Sequence, residues 1–227
     1  MTPRSIVRRL LRRNPKMISQ TCYGQDGEDL ILDRFLEHQL NGFYVDVGAH
    51  HPIRFSNTYL FYRRGWRGIN IDAEPGSMKL FKKFRGRDIN VECGVAGRGG
   101  LMTYFRFNEP ALNTFDEGEA RLKDKEPYKI IEQVDVPVRR LDDLLDQYMP
   151  LGQNIDFMTV DVEGKDHEVL ASNDWGRFRP RYILAETLRT DILHLAECPV
   201  VKLLDSVGYK PVAKAYNTTF FASCDVA

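Results

Sequence analysis

Three short apolar segments run straight into acids: Tyr44-Val45-Asp46-Val47-Gly48, Ile69-Asn70-Ile71-Asp72-Ala73-Glu74 and Phe157-Met158-Thr159-Val160-Asp161-Val162-Glu163. Short, largely apolar runs of this length describe strands buried on both faces, as in a parallel sheet covered by helices. Helical segments separate them. The spacing predicts a helix over 26–38 with Leu30, Ile31, Phe35 and Leu36 on one face, a second capped by Ser56 or Asn57, and others over 76–85 and 141–148. Further strands are expected at 89–93, 101–107, 134–138, 182–186, 209–213 and 218–222, with 108–129 polar and irregular. This alternation predicts an α/β fold with a mainly parallel sheet. No repeat or linker divides it, so 19–227 is expected to be one domain behind a basic arm at 1–18.

Composition narrows the class. At 43% hydrophobic and 11% aromatic, the 227 residues hold too much apolar material for a disordered chain. No apolar run approaches the ~20 residues of a membrane-spanning helix. The formal charge of zero hides an asymmetry, because residues 1–16 carry six bases and no acid. The remainder holds 26 bases against 32 acids, and a body of net charge −6 repels phosphates, so no nucleic-acid partner is expected. Within the arm, Ile6, Val7, Leu10 and Leu11 face away from the arginines. Weak membrane-surface contact through residues 4–16 and a solvated terminus both fit that pattern. The arm lacks the apolar stretch of a secretory signal, and Cys22, Cys93, Cys198 and Cys224 form no close pair. A reducing, cytoplasmic setting is the expectation.

In an open parallel sheet, ligands collect beyond the carboxyl ends of the strands. Gly48 lets backbone approach a ligand there, and an acid about 25 residues later, Asp72, suits two ribose hydroxyls. The first turn has only Gly48 where a dinucleotide site carries G-x-G-x-x-G. A nucleoside without phosphates needs no such cradle, which favours S-adenosylmethionine over a dinucleotide.

The blocks Val45-Asp46-Val47-Gly48-Ala49, 68–75, 138–145 with Leu141-Asp142-Asp143-Leu144-Leu145, and 155–170 with Asp161-Val162-Glu163-Gly164 resemble the FkbM-type methyltransferases. So does Gln25-Asp26-Gly27-Glu28-Asp29-Leu30. The resemblance runs from about residue 19 to 221. It implies a Rossmann-like class I methyltransferase with helices on both faces of a seven-stranded sheet, the last strand antiparallel. It also implies S-adenosylmethionine as donor and a hydroxyl acceptor on a sugar, polysaccharide precursor or polyketide. Carried over to this chain, Asp46, Gly48, Ala49, His50 and Asp72 would hold the donor, with Glu74 a competitor for the ribose, and Cys93 and Gly94 would lie beside the adenine.

A hydroxyl acceptor has a high pKa and needs help to lose its proton. Asp161, Glu163 and His51 are the expected catalytic groups, with His50 and His167 as other candidate bases. Asp161, Glu163 and Glu186 are the oxygen set that magnesium prefers, but carboxylates near strand ends are common and no metal is expected. Asn108, Asn113, Thr114 and Phe115 are the expected acceptor contacts, since loops on α/β scaffolds carry substrate choice. Two rivals stand beside this reading. An NAD-dependent oxidoreductase lacks its phosphate turn, and Tyr44, Tyr59, Tyr62, Tyr104 and Tyr148 have no Lys four residues on. A non-catalytic binding module would not need to keep Asp46, Asp72 and Asp161.

Overall fold

The computed structural model describes residues 20–225, so the expectations for the basic arm lie outside the described residues. The elements run α1 (Glu28–Phe35), β1 (Phe43–Val47), α2 (Tyr59–Arg64), β2 (Arg67–Asp72), α3 (Met78–Phe84), β3 (Ile89–Glu92), β4 (Gly94–Val95) and β5 (Gly100–Phe107). They continue with α4 (Glu117–Lys123), β6 (Ile130–Arg139), α5 (Leu141–Tyr148), β7 (Phe157–Val160), α6 (Asp166–Ala171), β8 (Tyr182–Glu186), α7 (Pro199–Ser206), β9 (Tyr209–Ala215) and β10 (Thr218–Ser223).

Alternation along β1 builds the two layers. Phe43, Val45 and Val47 turn to the core that contains Leu141, Leu145, Val169, Leu170 and Leu204 from α5, α6 and α7. Tyr44 turns to the opposite core, with Leu32, Phe61, Trp66 and Phe157. Helices therefore cover both faces of a seven-stranded sheet of order β3-β2-β1-β7-β8-β10-β9. β1 is parallel to β2 and β7, and β7 to β8, whereas β10 is antiparallel to β8 and β9. The acids at the ends of β1, β2, β7 and β8 thus share one edge.

Two expected strands leave this sheet. Residues 101–107 and 134–138 belong to longer strands, β5 and β6, which pair with each other and with β4 in a separate three-stranded sheet. The stretch expected to be irregular holds α4, whose first turn is capped by Asp116 accepting from the Glu119 amide at 2.9 Å. Ser56 does serve the start of α2, accepting from Tyr59 N at 3.1 Å.

Between the sheet and α2 lies a fully buried ion pair, Arg85 with Asp88, Nε to Oδ2 2.9 Å. Arg85 also donates to Tyr44 Oη at 2.6 Å, Thr58 Oγ1 at 3.0 Å and the Pro52 carbonyl at 3.1 Å. Asp88 accepts from Tyr44 Oη at 2.6 Å, Asn70 Nδ2 at 3.0 Å and Gly68 N at 3.1 Å. Removing one partner of a buried pair leaves the other charge uncompensated. Asp88→Ala is therefore expected to cost about 3–5 kcal/mol of stability, read by urea unfolding. A loss under ~1 kcal/mol would mean that Tyr44, Thr58 and the carbonyls suffice for the guanidinium.

Candidate active site

A cavity of about 650 Å³ opens beyond the carboxyl ends of β1, β2, β7 and β8, roofed by the three-stranded sheet and the connection between its strands β5 and β6. β1 exits through Gly48, whose φ of 81° is left-handed. A Cβ there would sit 1.8 Å from the Asp161 carbonyl, so the turn passes the end of β7 only as glycine. Beside it, buried Asp46 accepts from Thr58 Oγ1 at 2.6 Å, and burial pushes its carboxyl up to about 6. Thr58 is the residue that Arg85 holds from behind.

The two acids after β2 divide the work. Asp72 accepts from His50 N at 2.7 Å and Glu74 N at 2.8 Å, one on each oxygen. It ties the loop after β1 to the end of β2, and burial raises its pKa. Glu74 also faces the cavity, with its side chain 22% exposed, held by Arg106 and by Asn113 Nδ2 at 3.1 Å. Farther round, Cys93, Gly94, Val95, Tyr104 and Phe115 form a largely apolar wall. The Tyr104 and Phe115 rings pack 4.7 Å apart, and burial raises the Cys93 thiol.

At the opposite end, Asp161, Glu163 and Glu186 bring one carboxylate oxygen each within 4.8 Å of one another. The register that pairs Val160 with Ala185 places Asp161 next to Glu186. Glu163 joins them because the turn after β7 bends back, with φ of 55° at Glu163 and 103° at Gly164. Lys123 of α4 pairs with Glu163. Burial, then the neighbouring Asp161, pushes Glu186 up to about 10, and Asp166 behind it rises to about 7, chiefly by burial. Burial, then the neighbouring Glu163, also raises Asp161 well above its ordinary range, although the residue is exposed at the cavity wall. All three carboxyls are raised, and Glu186, 8% exposed, is the most enclosed of them.

The two adjacent histidines both line the cavity but are held differently. His51 Nδ1 accepts from Ile53 N at 3.1 Å and Arg54 N at 2.9 Å. Its one lone pair is engaged, which leaves Nε2 as the N–H in the neutral ring and removes it as a ready base. His50 lines the cavity with a buried Nε2 that has no partner, and burial holds its pKa down at about 4. His167 is exposed and off the cavity.

The expected acceptor contacts separate in the same way. Asn113 and Phe115 line the cavity. Asn108 and Thr114 do not. Asn108 donates to the Pro127 carbonyl at 2.9 Å and accepts from Lys129 N at 2.9 Å, pinning the hairpin base. Thr114 donates to the Glu163 carbonyl at 2.7 Å and accepts from Asp116 N at 2.9 Å. Glu28, Asn57, Arg54 and Thr159 line the cavity without having been among the expected site residues, and Glu186, considered only as a metal ligand, lines it too. The Gln25–Leu30 block pointed to Glu28; nothing local pointed to Arg54 or Thr159.

The lining suits a cationic nucleoside that lacks phosphates. Acids ring it at Asp46, Glu74, Asp161 and Glu186, whereas Arg54 and Lys123 are its only Lys or Arg among the described residues, each paired with an acid. Asn57 Oδ1 is buried on its wall without a partner, so a polar atom remains to receive a ligand. Sheet order and lining together fit a Rossmann-like domain with a nucleoside-sized site at the carboxyl edge of its sheet.

Residues 46–197, more than half of the chain, match the family model described as the methyltransferase FkbM domain. The chain belongs to that family. Solved structures of similar shape include an FkbM methyltransferase from Methylobacillus flagellatus, 13% identical, covering 81% of this chain and 44% of that one at a TM-score of 0.47. Others are a TehB-like S-adenosylmethionine-dependent methyltransferase from Corynebacterium glutamicum (10% identity, 97% and 95% coverage, TM-score 0.43) and an O-methyltransferase from Bacillus cereus in complex with S-adenosylhomocysteine (11%, 97% and 89%, 0.40). The chain spans less than half the length of the Methylobacillus protein. No curated protein matches it in sequence.

The acid cluster makes stability depend on pH. Between the ordinary glutamate value of 4.5 and about 10, folded Glu186 keeps a proton that the unfolded chain has released. Its contribution is full below 4.5 and is lost as pH rises through that window. Glu186→Gln should therefore melt higher than wild type at pH 8, by about 2–4 °C for each kcal/mol recovered. The gap should close toward pH 4. Calorimetry in chelator reads this, and equal melting at pH 8 would mean that Glu186 ionises normally.

Proposed function

We propose that the protein is an S-adenosylmethionine-dependent O-methyltransferase acting on a hydroxyl of a carbohydrate-like acceptor. The observation that carries the reading is the three-carboxylate cluster at the far end of an otherwise nucleoside-shaped, phosphate-poor cavity. When bound, S-adenosylmethionine supplies a methyl group on a sulfonium, which passes in line to the acceptor oxygen as the carbon–sulfur bond breaks. Asp46 and Glu28 face the donor's cationic amino end. Glu74 offers the accessible carboxylate for the ribose hydroxyls, while Asp72 sets the loop that carries Gly48, Ala49 and His50. Cys93, Gly94, Tyr104 and Phe115 exclude water from the base. The acceptor's proton leaves to the Asp161, Glu163 and Glu186 group, with Asp161, the member open to cavity water, as its first recipient. An amine acceptor would arrive with a lower pKa and have less use for three carboxylates, which favours oxygen over nitrogen. A sugar acceptor fits polysaccharide assembly in the cytoplasm, and the second reading, an NAD-dependent oxidoreductase, is disfavoured by the acids that would face its pyrophosphate.

Calorimetric titration with S-adenosylhomocysteine and, in parallel, NAD⁺ tests the donor. Micromolar binding of the first alone, about −8 kcal/mol, is expected; the reverse preference would replace the reading. Mass spectrometry of candidate glycans incubated with donor then reads methylation, and products carrying methyl on nitrogen alone would overturn O-transfer.

The two acids after β2 are separable. Glu74→Gln should weaken S-adenosylhomocysteine binding about tenfold, or roughly 1.4 kcal/mol, at an unchanged melting temperature. Asp72→Ala should lower affinity and melting temperature together. Wild-type affinity in Glu74→Gln would return the ribose role to Asp72.

A further inference from the structure

We propose that Asp161, Glu163 and Glu186 form a binding site for one divalent cation of the magnesium, manganese or calcium kind. Three segments converge to make it: the end of β7, the turn that follows and the end of β8. One oxygen of each residue lies within 4.8 Å of the other two. Two oxygens on one calcium lie at most about 5.2 Å apart and two on one magnesium about 4.2 Å, so every pair in the set falls within calcium's limit.

A second observation points to a ligand. Glu186 is only 8% exposed, lies on the cavity wall, and its Oε2 has no hydrogen-bond partner. A buried carboxylate oxygen left without a partner is costly, and nothing in the protein meets this one. One surrounding cation already meets the cluster at Glu163, and two others are engaged outside it. Lys123 pairs with Glu163, Arg189 makes two bonds to Glu119 at 2.7 and 2.6 Å, and Lys214 donates to Thr187 Oγ1 at 2.5 Å. Asp166, a further carboxyl, is buried just behind. The donors are all carboxylate oxygens, with no imidazole or thiolate in the set, which selects hard cations over zinc or iron.

Binding of the cation stands on this geometry alone; its chemical use rests on the O-methyl reading. Three protein donors leave positions open toward the cavity. A pair of adjacent acceptor hydroxyls would fill two of them, and the cation's charge would ease loss of the proton from the one to be methylated.

The test is titration of the protein with MnCl₂, followed by electron paramagnetic resonance of the free ion. One Mn²⁺ per chain with micromolar affinity is expected, displaced by Mg²⁺ or Ca²⁺. Glu186→Gln and Asp161→Asn, checked for folding by circular dichroism, should each weaken it at least tenfold. Lys123→Met, which frees Glu163, should tighten it several-fold. No uptake by wild type at millimolar Mn²⁺, or folded Glu186→Gln and Asp161→Asn proteins that bind as wild type does, would overturn the site. S-adenosylhomocysteine is titrated into the same samples. Retained binding there with no Mn²⁺ uptake would sink the cation site and leave the methyltransferase reading standing.

Discussion

A single guanidinium sits where the sheet, the first connecting loop and the cavity meet. Arg85 is wholly buried, and its charge is answered by Asp88 on one side and by Tyr44, Thr58 and the Pro52 carbonyl on the others. Those partners come from β1, the loop after it and the turn leading to β3. Thr58 passes the connection on to Asp46 at the cavity wall. The interaction is electrostatic and dry, and its worth lies in geometry, because a buried ion pair adds little net stability over an apolar replacement. It fixes the loop from Gly48 to Thr58 against the sheet, and with it the backbone that any nucleoside at this edge must meet.

Around that anchor the site is graded in charge. Apolar walls from Cys93 to Phe115 form one end, isolated acids line the middle, and a crowded acid cluster forms the other. The gradient follows from topology. Parallel strands deliver every carboxyl end to one edge, so a residue placed after each strand becomes a neighbour of the others regardless of separation in sequence. Asp161 and Glu186 are 25 positions apart and sit on adjacent strands in consecutive register.

That topology also explains what the sequence disclosed. Buried parallel strands are local, apolar and punctuated, so β1, β2 and β7 and the acids that end them were plain to see, as was the family resemblance they carry. The three-stranded roof was not, because β5 and β6 pair across a connection of more than twenty residues and expose much of their length. A helix start was readable in Asp116 followed by Glu119, yet it lay in a stretch judged irregular. Side-chain direction was the other blind spot. Asn108 and Thr114 look like ligand contacts by type, but each satisfies backbone groups of its own neighbourhood. Likewise, no spacing rule tells which of two adjacent histidines has its lone pair taken by backbone amides.

Glu163 is held by the roof at two points, its carbonyl by the Thr114 hydroxyl and its carboxylate by the Lys123 ammonium. The roof and the turn after β7 are thus one mechanical object. Whatever draws charge away from the Glu163 carboxylate loosens a strap on the roof, and whatever lifts the roof bares that carboxylate. Entry to the cavity and the electrostatics of its floor are therefore not independent variables, and a change of acceptor preference through the roof would carry a change in proton affinity with it.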